Sequence, residues 1–309
     1  MNRRQSTRTL AVLVFGFALG LAPGRAAAQQ LIIKGEFGLK AGTQPPPGFY
    51  AGMFGAINWN DELRGPDGRS VPSEGGSLNQ YLFGPLLSWV TDLKVFGGNY
   101  GALLAVPFAN TTVDFPRFYT ESSTGMALSQ LWVVPVSIGW HFDQADLIFQ
   151  YAFYPPTGRY SPGASNNTGL GMWCNELALL STVYFDKAKT WHVSASAFYD
   201  INGKKKDIDW TQGDPFTLMW GVGGNYGSGK SLFKGWGGVA GYAQWQVTST
   251  SGADVPRFVQ DNKATIYGIG PEFTTLQGAL TIRYFWQFGG VYSLQGSGLY
   301  VQFVMPVKL

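Results

Sequence analysis

The sequence predicts an all-β fold: a transmembrane antiparallel up-and-down β-barrel of about 12 strands, of the outer-membrane type. Three observations lead there. Stretches of strand length alternate apolar and polar residues with period two, as they must when successive side chains point to opposite faces. The connections alternate between short and long, which an up-and-down barrel requires and a Greek-key sandwich does not. Beyond the first 28 residues no apolar run of about 18 residues occurs, so helical spans are not expected.

The chain opens with a basic stretch (Arg3, Arg4, Arg8), an apolar run from Leu10 to Leu21 and small residues at Ala26, Ala27 and Ala28. That order is a secretory signal peptide, residues 1–28, with cleavage expected between Ala28 and Gln29. Residues 29–44 precede the first strand and are expected to form a periplasmic segment or a plug; residues 45–309 are expected to form the barrel. The leader holds four of the 22 basic residues and no acid, leaving 18 bases against 19 acids, a net charge of −1. The apparent basicity therefore belongs to the leader, and no nucleic-acid partner is expected. A single cysteine, Cys174, rules out an internal disulfide framework.

Twelve strands follow in order: 49–60, 78–91, 99–113, 126–141, 146–154, 173–185, 191–201, 215–226, 236–248, 263–273, 278–288 and 297–307. Their faces are clean. In WHVSASAFYD, Trp191, Val193, Ala195, Ala197 and Tyr199 share one side, opposite His192, Ser194, Ser196, Phe198 and Asp200. In GALTIRYFWQF, Leu280, Ile282, Tyr284, Trp286 and Phe288 oppose Thr281, Arg283, Phe285 and Gln287. The second strand is the weakest, because Gly84 and Pro85 suggest a bulge or an early end. Even-numbered strands are followed by short turns at 96–98, 143–145, 186–190, 227–235 and 274–277. Odd-numbered ones are followed by long polar loops, the last being GVYSLQGS at 290–297. Tryptophans near strand ends (Trp59, Trp89, Trp132, Trp140, Trp173, Trp191, Trp236, Trp286) suit interfacial girdles.

In a barrel, an Arg on the lipid face at mid-bilayer costs about 2–4 kcal/mol, so in-strand charges should face the lumen. Glu176, Arg283 and Glu272 are placed there, with Gln150, Tyr154 and Gln287, as pore-lining or binding residues or as a structural ion-pair network. The long loop YPPTGRYSPGASNNTGLGMW, 154–173, could fold inward, which would set Arg159 and Tyr160 at a constriction. Its glycines are not a phosphate cradle, since no Gly-Lys-Ser/Thr and no helix follow; the GKS at Gly229, Lys230 and Ser231 lacks the upstream glycine spacing. His192 and Ser194 lie two apart on one face, as in an outer-membrane phospholipase. Alternation turns them inward, however, and no Ser-Asn-Gly run follows, so no catalytic residues are assigned. Two histidines and one cysteine make no zinc site, and no cofactor is expected. Lys204, Lys205 and Lys206 form the single basic run, in a loop that either is solvated or meets lipopolysaccharide phosphates.

Several blocks together resemble a known family. PPPGFY (45–50), TDLKVFGGNYGALLAVP (91–107), GWHFDQADLIFQYAFYPPTGRY (139–160), NTGLGMW (167–173), DKAKTWHVS (186–194), KKKD (204–207) and LTIRYFWQFG (280–289) occur in order. They are similar to outer-membrane proteins associated with meta-cleavage phenol degradation, the phenol MetA-pathway family. The resemblance implies a barrel of the transporter type that takes up aromatic or other hydrophobic compounds, and it brings no catalytic residues. The expectation is a passive channel in the bacterial outer membrane for small organic solutes. Its expected partners are outer-membrane lipids, lipopolysaccharide and, through the C-terminal strand, the outer-membrane assembly machinery. The rival expectations are a closed structural or partner-binding barrel and a lipid-modifying enzyme.

Overall fold

The computed structural model describes residues 35–72, 75–115, 119–164, 166–228 and 231–308. The expected leader, residues 29–34, two of the three GKS residues and Leu309 lie outside them.

Sixteen strands form one sheet among the described residues. They are β1 (Gly48–Arg64), β2 (Ser70–Val71), β3 (Ser77–Val95), β4 (Gly98–Ala105), β5 (Phe108–Phe115), β6 (Tyr119–Ser123), β7 (Ala127–Leu128) and β8 (Trp132–His141). The second half is β9 (Ala145–Tyr154), β10 (Cys174–Tyr184), β11 (Trp191–Asn202), β12 (Pro215–Tyr226), β13 (Gly235–Gln246), β14 (Thr265–Thr275), β15 (Leu280–Val291) and β16 (Ser293–Val307). Each strand from β9 to β15 pairs antiparallel with both its sequence neighbours, β8 pairs with β4, and β1 closes the circuit against both β16 and β3. The strands β4 and β5 are two halves of one rung, while β2, β6 and β7 belong to the long loops. The result is a closed barrel of 12 antiparallel strands.

The burial pattern is that of a barrel in lipid. On β11 the predicted inward set His192, Ser194, Ser196, Phe198 and Asp200 is buried, while Trp191, Ala195 and Ile201 are exposed. On β10, Leu177, Leu179 and Val183 are exposed and Glu176, Thr182 and Cys174 are buried. Exposed aliphatics over a buried polar interior invert the arrangement that water selects, and a hydrocarbon surround accounts for it. Phe49 and Trp59 lie ten residues apart on the outward face of β1. For a strand tilted by about 40° this separation spans roughly 25 Å, the height of an outer-membrane apolar band. Aromatic pairs mark both ends, with Phe49 stacked on Trp89 at 5.3 Å and Tyr267 on Phe288 at 5.8 Å.

Two sequence expectations are corrected. Gly84 and Pro85 do not interrupt their strand, which runs unbroken from Ser77 to Val95. The break falls on the neighbour, at Val106 and Pro107 between β4 and β5, where the Val106 amide donates to the Pro85 carbonyl at 3.0 Å. Gly84 is needed there because a Cβ would strike the Val106 carbonyl oxygen. The segment 290–297 is not a long loop: β15 and β16 extend through it, with Tyr292 alone between them at φ 48°. At the opposite end β3 and β4 join through Phe96 and Gly97, both with positive φ, as a two-residue hairpin demands. Trp140 Nε1 braces that turn by donating to the Phe96 carbonyl at 2.9 Å.

Inside, one wall is packed with apolar side chains from β9 to β15, including Ile148, Leu180, Phe198, Met219, Ile266 and Phe285. The opposite wall, from β1, β3, β4 and β16, carries Phe54, Ala56, Leu86, Ala105 and Tyr300.

Candidate functional site

The lumen holds the chain's own N-terminal segment. Residues 35–44 make no regular strand, yet Gly35, Glu36, Gly38, Leu39, Gly42 and Gln44 are buried. Arg283 on β15 and Glu272 on β14 form an ion pair at 2.9 Å and grip the segment's backbone from both sides. Arg283 Nη1 donates to the Glu36 carbonyl oxygen, and Glu272 Oε2 accepts from the Leu39 amide at 2.9 Å. Arg283 also lies over the Tyr300 ring at 5.3 Å. Further along, the Gly42 amide donates to Thr182 Oγ1 at 3.0 Å, and Thr43 Oγ1 donates to Tyr184 OH at 2.7 Å, whose own proton goes to Asp146. Phe37 stacks on Phe198 at 5.3 Å and meets Trp132 edge-on. Glycine is required at two of these contacts. A Cβ on Gly38 would strike the Glu272 carboxylate, and one on Gly42 would lie 2.5 Å from the Ser181 carbonyl carbon.

At the short-turn end the segment is tied to a second polar group. Tyr184 OH donates to Asp146 Oδ2 at 2.8 Å, and Asp146 Oδ1 faces His141 Nδ1 at 3.0 Å and Lys189 Nζ at 3.7 Å. Lys40 Nζ donates to Asn225 Oδ1 at 2.8 Å and lies 4.4 Å over the Trp236 ring. Burial lowers the Lys40 ammonium from its ordinary value, with the Asp146 charge opposing.

A third group contains acids without a basic partner of their own. Glu176 on β10 stands directly opposite Asp200 on β11 in the register, and both are almost wholly buried. Tyr154 OH donates to Glu176 Oε2 at 2.8 Å. Glu176 Oε1, Asp200 Oδ1 and Glu36 Oε1 are all buried without a hydrogen-bond partner.

Beside the segment a cavity of about 920 Å³ runs along the lumen, bounded by residues 36–46 on one side and by β1, β3, β4 and β16 on the other. Its apolar wall includes Phe54, Leu82, Leu86, Leu103 and Val304; its polar lining is divided between amides such as Gln44, Asn58, Gln80, Gln150 and Gln302 and hydroxyls such as Thr43, Ser88, Ser137, Tyr154 and Thr281. The charged side chains that reach it are Glu36, Lys40, Glu272 and Arg283. Of these, Glu272 and Arg283 neutralise each other.

Of the residues singled out from the sequence, Gln150, Tyr154, Glu272, Arg283 and Gln287 line this cavity. Gln150 Nε2 donates to Ser137 Oγ at 3.2 Å, and Gln287 Nε2 donates to Tyr242 OH at 3.0 Å. Glu176 faces inward but lies behind Tyr154. Arg159 and Tyr160, expected at a constriction, are not among the residues that line the cavity. Arg159 is exposed, its Nε and Nη2 donating to the Asn166 and Thr124 carbonyls at 2.6 Å, and Tyr160 packs on Gly171. The loop instead sends Leu170 to the cavity, its amide held by Gln130 Oε1 at 2.8 Å. In the lysine run Lys204 pairs with Asp209 at 2.7 Å and Lys206 with Asp207 at 3.9 Å, both lysines remaining exposed, and Lys205 lies 5.5 Å over the Trp210 ring. His192 and Ser194 face the interior, where Ser194 Oγ and Thr182 Oγ1 lie 2.9 Å apart.

Sequence reasoning passed over Glu36, Gln44 and Asp200 as site residues. Asp200 could have been found, since alternation placed it inward beside Ser196 and Phe198. Glu36 and Gln44 sit in a segment without periodicity.

Fold and site together define an outer-membrane-type β-barrel whose lumen is shared between an internal segment and a cavity. The chain belongs to the Phenol_MetA_deg family, described as "Putative MetA-pathway of phenol degradation", whose model matches residues 60–303. An outer membrane channel from Pseudomonas putida F1 has the same fold, with a TM-score of 0.72 at 12% identity, covering 91% of this chain and 100% of that one. The beta domain of the Bordetella autotransporter BrkA aligns less closely, with a TM-score of 0.43 at 9% identity over 84% of this chain and 99% of that one. No curated protein matches the chain in sequence.

Proposed function

We propose that the chain is a passive outer-membrane channel for small, uncharged organic solutes, with aromatic and other hydrophobic compounds as the class it admits. The observation that carries this reading is the lumen cavity. Its volume of about 920 Å³ suits a small organic molecule. Its lining offers an apolar wall for the body of such a molecule and amides and hydroxyls for its polar groups, with Glu272 and Arg283 paired off. The family description, which concerns phenol degradation, and the channel whose fold the chain shares agree with it. The outward apolar belt would face outer-membrane lipid, and the C-terminal strand β16, sealed against β1, would be the segment offered to the assembly machinery.

The test is solute flux into liposomes carrying the refolded barrel, with a neutral aromatic, a benzoate-like anion and a hydrocarbon compared. Neutral solutes should enter faster than the anion. Equal rates with and without protein for every solute would sink the reading. That outcome would favour the closed structural barrel, which one observation supports: the segment 35–44 occupies much of the lumen.

A further inference from the structure

The acids at the seat of the internal segment have no role in the reading above. Glu36 is on the segment, while Glu176 and Asp200 are on the adjoining wall strands β10 and β11, opposite each other in register. Each is more than nine-tenths buried and each has a carboxylate oxygen without a partner. Every other charged or titratable group around them is already engaged or neutral. Tyr154 from β9 spends its hydroxyl on Glu176, and Arg283 from β15 is held by Glu272 from β14. Tyr300 from β16 lies under the Arg283 guanidinium, and the Cys174 thiol points to the Asn175 carbonyl. Asp214, beyond Asp200, accepts from the Asn202 amide.

Three buried carboxyl groups with one shared basic neighbour resist ionising together, because burial and like charge both disfavour the ionised forms. Glu176 and Asp200 face each other across the β10–β11 register, both nearly fully buried. Glu36 belongs to no spanning strand. Burial, reinforced by the Glu176 charge and opposed by Arg283, pushes its carboxyl well above the ordinary carboxylate range.

We infer that Glu36, Glu176 and Asp200 form a proton-dependent latch that seats the internal segment in the lumen when protonated and releases it when ionised. The sign follows from linkage. The seated form binds more protons than the released form, so the seated fraction falls as pH rises. Each such proton changes the ratio by up to about tenfold per pH unit between the released and seated carboxyl values.

The latch deepens the channel reading but is tested without it. Hydrogen exchange of the amides in residues 35–44 of the full barrel, in detergent or liposomes, is followed from pH 5.5 to 8.5 and corrected for the intrinsic pH dependence of exchange. Protection should fall at least tenfold in the wild type as pH rises. In Glu36→Gln it should stay level, and in the double variant Glu176→Gln/Asp200→Asn the slope should be reduced. Heat-modifiable gel migration shows whether each variant is a folded barrel. Should Glu36→Gln fail to fold, Glu36→Ala with the same readout replaces it, since it too cannot ionise. A wild-type segment with level protection overturns the latch, as does a slope that persists in the Glu36 variants. Protection that answers to added calcium at fixed pH also overturns it, in favour of a cation. If protection responds as stated but no solute crosses, the latch stands and the channel reading falls.

Discussion

Gly42→Ala is the sharpest test of how the internal segment is held, because it adds one methyl group and alters no strand residue. A Cβ at this position would lie 2.5 Å from the Ser181 carbonyl carbon and 2.6 Å from the Ser181 Cα. These are backbone atoms of β10 and cannot swing aside as a side chain would. The segment must therefore lift locally, losing the Gly42–Thr182 and Thr43–Tyr184 hydrogen bonds. At about 1 kcal/mol each these account for about 2 kcal/mol, and residual overpacking adds about 1–3 kcal/mol. A total of about 3–5 kcal/mol shifts the seated-to-released ratio more than about a hundredfold. The barrel has no part in that loss, so heat-modifiable migration should be unchanged. Amide exchange in residues 35–44 should accelerate by about two orders of magnitude, since local opening is read directly even when the seated form dominates. Conductance in planar bilayers should rise with it. Gly55→Ala is the control: its Cβ meets only the Leu82 carbonyl oxygen at 3.6 Å, an ordinary contact. If Gly42→Ala leaves both exchange and conductance at the Gly55→Ala level, residues 35–44 are not held by this close approach and the reasoning is wrong.

Arg283→Met strands Glu272 as an unpaired buried charge and should destabilise the protein by about 3–5 kcal/mol in urea unfolding. Arg283→Met/Glu272→Gln should recover most of that, while both variants loosen residues 35–44 in hydrogen exchange. Leu179→Arg, on the lipid face of β10, should cost about 2–4 kcal/mol in vesicle folding assays. Ser196→Ala, which removes a buried hydroxyl without a partner, should be neutral or stabilising by up to about 1 kcal/mol. Deleting residues 161–166 should leave conductance unchanged, because Arg159 and Tyr160 stand outside the cavity; a wider pore would return the constriction to that loop.

The barrel was legible because lipid imposes a rule on every strand. Outward positions must be apolar, inward ones are free to be polar, and the period of two writes that rule into Leu177, Leu179 and Val183 against Glu176 and Thr182. Where the rule lapses, the reading slips. Residues 290–297 stand beyond the lipid belt, so nothing forces their outward faces to be apolar, and a two-strand extension looked like a loop. Gly84 and Pro85 looked like a break because a single sequence shows that a glycine admits a close approach but not which chain approaches. Here it is Val106, on the neighbouring strand, and the irregularity was booked to the wrong partner.

The site was half legible for a related reason. Arg283 and Glu272 could be placed because they lie on strands whose alternation fixes their direction. What they hold could not, because they recognise backbone. The Glu36 carbonyl, the Leu39 amide and the Gly42 amide are groups that every segment possesses. A segment bound in this way leaves no periodic signal, only the glycines that let its main chain reach the wall. Gly38 and Gly42, four residues apart in a stretch of otherwise mixed character, are that signal. They carry information only once the shape of the wall is known. Glu36 is different in kind, since a buried carboxylate could not be required by backbone docking and weakens it at high pH. A side chain that makes its own seat conditional is better explained by release than by adhesion, and for that reason the latch is assigned to Glu36 and the grip to Arg283.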